Sequence, residues 1–307
     1  YMTDDASRQL NKLFPTDDKS LAAYRKIVGG GWQVIIDRGI SKPADVEFQQ
    51  VGETAKHDKF LQKKGLLRYK PAKEEIPIVI LLPAGETRRT AIWLDPVGKA
   101  GLFEHVGSPI PTVRKLLEAG VQVVGLDLFE QGEFLPDNKS LAHARMVINE
   151  KHNSGAYTFG YNRSLFAQRV HDVLSAVSYF HGDDQPWGVV DLVGLNGAGR
   201  WAVAAKAIAG DAVNRTVADT EGFRFVNLVA DDDPDFLPGS VKYFDLPGLM
   251  SLCSPAELWI NDGVVHDSPP GLVTATFKAA GAPDNFIWYD GPRDSVDSDA
   301  IQWLLRK

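Results

Sequence analysis

The chain has 307 residues, of which 44% are hydrophobic and 24% charged, enough for one large α/β domain with a substantial core. Its 40 acidic residues against 33 basic ones give a formal charge of -7. The lysines and arginines are scattered, which argues against nucleic acid or an anionic membrane as partner. Cys253 is the single cysteine, so an internal disulfide and a thiolate metal cluster are excluded. It lies in an apolar run and is expected as a small buried hydrophobe.

Residues 1–60 are polar and mixed, with a helix expected near Ser20 to Val28 and an extended stretch at Ala44 to Gln50. They are read as a preface packed on a domain spanning 61–307. Tyr1 precedes Met2, which fits a chain cut from a longer one. From Leu66 onward, apolar segments of strand length and β-branched content alternate with helical patterns. The strand candidates are Ile76–Leu82, Thr90–Leu94, Val121–Leu126, Val189–Gly194, Arg215–Ala218, Glu257–Ile260 and Phe286–Tyr289. The run Ile76 to Pro83 is far short of the roughly 20 apolar residues that a membrane-spanning helix needs. Pro111 to Ala119 reads as an amphipathic helix stopped by Gly120. Ser164 to Phe180 is a longer one, with Phe166, Val170, Val173, Leu174 and Val177 on one face. Strand and helix alternating in this way imply a mostly parallel sheet covered on both faces. Ligands then sit outside the carboxyl ends of the strands, in the loops after Leu94, Leu126, Gly194, Ala218, Ile260 and Tyr289.

The most informative of these loops follows Val190-Asp191-Leu192-Val193-Gly194. There Leu195-Asn196-Gly197-Ala198-Gly199 turns sharply into a helix from Arg200 to Ala209. A buried strand, a small-residue turn and a helix are the setting of a Gly-x-Ser-x-Gly nucleophile elbow. Asn196 occupies the tip, and an amide is not an acyl-accepting nucleophile.

Taken in order, these segments resemble the α/β-hydrolase superfamily, most closely acetylxylan-esterase-like and dienelactone-hydrolase-like bacterial members. The resemblance covers roughly residues 60–307. Trp93 to Gly101 stands where that family carries its oxyanion loop, and Leu126 to Glu133 resembles the Asp-x-Arg-Gly-x-Gly-x segment. Tyr161-Asn162-Arg163 through Asp172 resembles the stretch before the elbow strand, where Arg163 and Asp172 could pair. Leu237 to Asp245 with Ser254-Pro255 resembles the lid and the approach to the acid strand. The resemblance implies an α/β-hydrolase fold, with Asp262 at the acid position. It also implies a histidine after the last strand, but Asp290 to Asp297 contains none.

A serine triad needs the hydroxyl as nucleophile and the imidazole to carry its proton, so the loss of both points to a catalytically degenerate member. The backbone amides of Gly197, Val97 and Gly98 could still form an oxyanion-like nest, while Gly197, Ala198 and Gly199 could equally serve close strand-helix packing. Asp127, Glu130, Glu133, Asp219 and Glu221 are expected at the rim of an acyl or carbohydrate pocket, with Trp93, Phe129, Tyr161 and Trp201 as aromatic neighbours or as core. His266, four residues after Asp262, could reach the site as a base toward water, or stand as an exposed loop histidine. His171 is expected to be structural and His105 ranks lower as a site residue. Asp231-Asp232-Asp233-Pro234-Asp235 reads as a solvated turn rather than a calcium loop. No metal and no cofactor is expected. Two alternatives stand beside the degenerate hydrolase: an active carboxylic ester hydrolase with a rearranged site, and a noncatalytic scaffold or partner-binding domain. A half of a longer tandem hydrolase fits the first reading as well.

Overall fold

The computed structural model describes residues 2–105, 107–136, 141–149, 152–153, 155–181, 188–263 and 269–306. Among these, ten strands form one twisted sheet: β1 Val46–Gln50, β2 Ala55–Lys56, β3 Phe60–Tyr69, β4 Glu74–Pro83, β5 Arg89–Leu94, β6 Gln122–Leu126, β7 Val189–Gly194, β8 Arg215–Asp219, β9 Glu257–Asn261 and β10 Phe286–Trp288. Their order across the sheet is β1-β3-β4-β6-β5-β7-β8-β9-β10, with β2 paired beside β3. The first four strands pair antiparallel, and β4 meets β6 antiparallel. From β6 to β10 every pairing is parallel.

The helices are α1 Met2–Asn11, α2 Asp18–Tyr24, α3 Gly30–Ile36, α4 Pro111–Glu118, α5 Gly155–Tyr161, α6 Leu165–Phe180, α7 Gly199–Ala209, α8 Asp245–Leu252, α9 Gly271–Ala279 and α10 Val296–Leu304. Successive strand residues point to opposite faces, so each parallel strand feeds two cores. Ile92 and Leu94 of β5 join Phe166, Leu174, Trp201, Leu249 and Phe277 beneath α6 to α9. Ala91 and Trp93 of the same strand join Val113, Leu116, Ile301 and Leu304 beneath α4 and α10. The strands are therefore apolar on both sides, as their near-continuous hydrophobic runs require.

The amino-terminal segment departs from the sequence reading in two ways. Strands β1 and β2 lie inside residues 1–60 yet belong to the main sheet, and β1 runs along the full register of Tyr69 to Gly65. The helix expected to end near Val28 passes instead through a wide turn at Arg25–Gly29 into α3. Gly31 is required by packing: a side chain there would stand 2.5 Å from the Tyr243 ring. Close approach to that ring outweighs the weak helix propensity of glycine. Helix α2 itself starts with a capping box, Asp17 and Ser20 each accepting the other's backbone N–H.

Candidate functional site

The carboxyl ends of β5, β7, β8, β9 and β10 bring the expected loops to one edge. At the end of β7, Ala198 N–H donates to Leu195 O at 2.9 Å and closes the turn before α7. Gly199 is a packing requirement, since a side chain there would lie 2.5 Å from the Asp219 carbonyl oxygen on the next strand. Asn196 has φ 52° and is exposed at the tip. Asparagine tolerates this left-handed backbone better than most residues. Glu130 after β6 and Glu221 after β8 share the same unusual region, at φ 59° and 49°. Strained non-glycine residues thus follow three of the parallel strands.

The Asn196 side chain is engaged. Its Nδ2 donates to Asp95 Oδ2 at 3.1 Å, and Asp95 Oδ1 accepts the Val97 N–H at 3.0 Å. The Gly98 N–H donates to the Asp95 carbonyl at 2.9 Å. Two of the three amides read as an oxyanion nest therefore serve the loop's own turn. Gly197 O accepts from Arg200 at 2.6 Å, and among the described residues its N–H meets no acceptor. Burial pushes the Asp95 carboxyl above its ordinary range, while the Val97 and Asn196 donors pull it down. Asp95 was not singled out in the sequence. Its place directly after a strand was the available signal.

Asp262, at the expected acid position, is buried. Arg224 grips it with both terminal nitrogens, at 3.0 and 2.7 Å, and the Thr220 hydroxyl donates to Oδ1. This bidentate pair fixes the carboxylate in place. Nothing in the sequence linked Arg224 to Asp262, because the two meet only where β8 and β9 lie side by side. His266 lies outside the described residues. His171 is buried, its Nε2 at 2.5 Å from Ile36 O, and burial lowers its pKa to about 4. His105 is exposed on a short hairpin.

The five carboxylates expected at one rim separate. Asp127 is buried and pins two loops, accepting the Lys99 and Glu133 N–H groups at 2.9 Å each and the Lys99 ammonium. Its depth places it below any rim. Glu133 is exposed and pairs with the same lysine at 2.8 Å. Glu130 faces a separate cavity of about 430 Å³ and pairs with Arg145 at 3.1 Å. Glu221 and Asp219 stay beside Asn196. The suggested Arg163–Asp172 pair is also replaced: Arg163 meets Asp37 at 2.9 Å, and Asp172 accepts the Phe129 N–H at 2.7 Å. Trp93 and Trp201 are core, and Tyr161 is 85% exposed, so these aromatics do not gather at a cleft.

Beside the elbow opens a cleft of about 610 Å³ between the ends of β7 to β10 and the start of α10. Asn196, Asp219, Glu221 and Asn261 form one wall, and Trp288, Tyr289, Asp290, Asp294 and Asp297 the other. Asn261 Nδ2 donates to Asp219 Oδ1 at 2.8 Å. Burial raises the carboxyls of Asp219 and Asp297, and the charge of Asp95 raises Asp297 further. Tyr289 Oη lies 2.8 Å from Asp299, so its hydroxyl is tied down. A larger cavity, about 1060 Å³, lies at the opposite edge, beside Arg88 and Val189 where β5 and β7 begin. The elbow cleft, unlike this cavity, lies at the strand carboxyl ends, where parallel sheets present ligands.

Within the acidic run, Asp235 accepts from Trp201 Nε1 at 3.0 Å and pairs with Arg200 at 2.8 Å. Among the described residues no group of three or more His, Cys, Asp or Glu converges on a metal position, and no helix is long and apolar enough to cross a membrane.

No family model and no curated protein matches the chain. Solved structures do. An assigned acetyl xylan esterase from Bacteroides fragilis superposes with TM-score 0.63 at 13% identity, covering 95% of this chain and 82% of that one. A promiscuous CE15 esterase from a marine bacterial metagenome gives 0.57 at 13% identity over 90% of both chains. Acetyl xylan esterase 1 from a Thermoanaerobacterium species gives 0.52 at 13% identity over 97% of both. The chain has the α/β-hydrolase fold. Within that fold Asn196 stands at the tip of the turn after β7, Asp95 directly follows β5, and Asp262 directly follows β9.

Proposed function

We propose that this chain is a noncatalytic α/β-hydrolase of carbohydrate-esterase-like ancestry that keeps the elbow cleft as a binding site for a hydroxyl-rich ligand. The observation that carries the reading is the Asn196–Asp95 pair. The elbow tip offers an amide in place of a nucleophile, and the same Asp95 occupies the Val97 and Gly98 amides. A tetrahedral oxyanion would need those donors free. Arg224 holds Asp262 in an ion pair, which disfavours its use as the partner of a catalytic imidazole. What the cleft retains suits binding: carboxylate and amide acceptors for hydroxyl groups, and the half-buried Trp288 ring for stacking.

The test is hydrolysis of 4-nitrophenyl acetate and acetylated xylan by wild type, Asn196→Ser and His266→Ala, with thermal shifts in xylotetraose run alongside. Expected are no turnover by any of the three and a saccharide-dependent rise in melting temperature. Wild-type turnover that His266→Ala removes would replace the proposal with a rearranged esterase. Neither turnover nor a thermal shift would favour a scaffold that uses the fold for partner contacts.

A further inference from the structure

The charge of the cleft goes further than its shape and, resting on the binding role just argued, narrows the ligand. Asp219, Glu221, Asp290, Asp294 and Asp297 line it, and among the described residues Arg293 is the one cation in that lining. Acidic side chains on a surface are ordinary, but two of these are not ordinary surface groups. Asp219 is only 6% exposed and faces the cleft, and both its hydrogen bonds, from Asn261 and from the Glu221 N–H, go to Oδ1. Among the described residues, Oδ2 receives no donor. Asp297, half-buried on α10, has neither a hydrogen bond nor an ion pair among the described residues. A partly desolvated carboxylate with an oxygen that no donor reaches is costly, and two such groups line this one cleft.

We propose that the elbow cleft receives an amine-bearing saccharide, its ammonium seated between Asp219 and Asp297 and a sugar face against Trp288. An ammonium fits better than a metal ion. It is satisfied by two or three acceptors on different walls, whereas a hard cation needs oxygens converging on one point, and no such group of ligands exists among the described residues. The aromatic ring adds attraction for the same cation. A uronate would meet this lining with like charge and is excluded.

Burial holds the carboxyls of Asp219 and Asp297 above their ordinary range, with the charges of Glu221 and Asp297 adding to the first and that of Asp95 to the second, and an arriving ammonium opposes both effects.

Isothermal titration calorimetry of the full chain with glucosamine tetramer, its fully N-acetylated counterpart, xylotetraose and a galacturonate tetramer decides the matter. Expected is binding of the glucosamine tetramer about tenfold or more tighter than that of the acetylated and xylose tetramers. The galacturonate should not bind. Asp219→Asn and Asp297→Asn, which preserve shape, should remove that tenfold preference, so that the free and acetylated tetramers bind alike. Equal affinity for the free and acetylated amines, or binding of the uronate, overturns the amine proposal while leaving the saccharide reading standing. No heat with any of the four overturns both.

Discussion

Asp172 offers a measurement in which sign and size both follow from the structure. It lies buried on α6, accepts the Phe129 N–H, and is also near Arg38, Arg169 and Glu74. Burial is the largest influence and drives its pKa up to about 8, against about 3.9 in an unfolded chain. A carboxyl raised in the folded state binds a proton there that the unfolded chain has released. Stability from this group is therefore full below about pH 4 and is lost as pH rises toward 8. Each pH unit in that window costs about 1.4 kcal/mol for one proton, so between pH 5 and 7 the limit is about 3 kcal/mol. Asp172→Asn imitates the protonated acid, keeping an acceptor for Phe129 and carrying no charge. Urea unfolding at pH 5, 6 and 7 should show the variant gaining on wild type by about 1 kcal/mol or more per unit, on top of the roughly 1.5 kcal/mol that wild type has already lost between pH 4 and 5. Parallel curves for the two proteins would refute the claim that Asp172 is folded in its neutral form.

Two further substitutions test packing and pairing away from that helix. Arg224→Met takes the guanidinium from the buried Asp262 and should cost about 3–5 kcal/mol in urea unfolding; a loss below about 1 kcal/mol, the range of surface pairs, would mean the pair does not hold this loop. Gly31→Ala should lower the melting temperature even though alanine is the better helix former by about 1 kcal/mol, because overpacking against Tyr243 costs about 1–3 kcal/mol. A raised melting temperature would show that the ring moves aside freely.

Much of the architecture was legible before any coordinates. The segments Val189–Gly194 and Arg215–Ala218 fall on β7 and β8, and Asn196 falls at the tip of a strand-to-helix turn. These features are local: hydrophobic run length, β-branched content and small residues at a turn are written in neighbouring positions, and burial on both faces leaves a parallel strand little choice of residue. The amino-terminal strands were harder to read, because β1 and β3 alternate apolar and polar residues weakly and find their place only by pairing with each other and with β4.

The site was legible as a set of loops but not as a set of contacts. That Asn196 replaces a nucleophile and that no histidine follows Tyr289 are facts of the sequence alone. That Asp95 turns inward to hold Asn196 and the Val97 amide, that Arg224 captures Asp262, and that Asp127 sinks below the surface while Asp219 and Asp297 share a cleft were decided by the tertiary structure. A carboxylate's role depends on which donors and charges the folded chain brings within a few ångströms. Those partners lie from 28 residues away, for Lys99 and Asp127, to 101, for Asp95 and Asn196, a separation at which no sequence pattern is preserved.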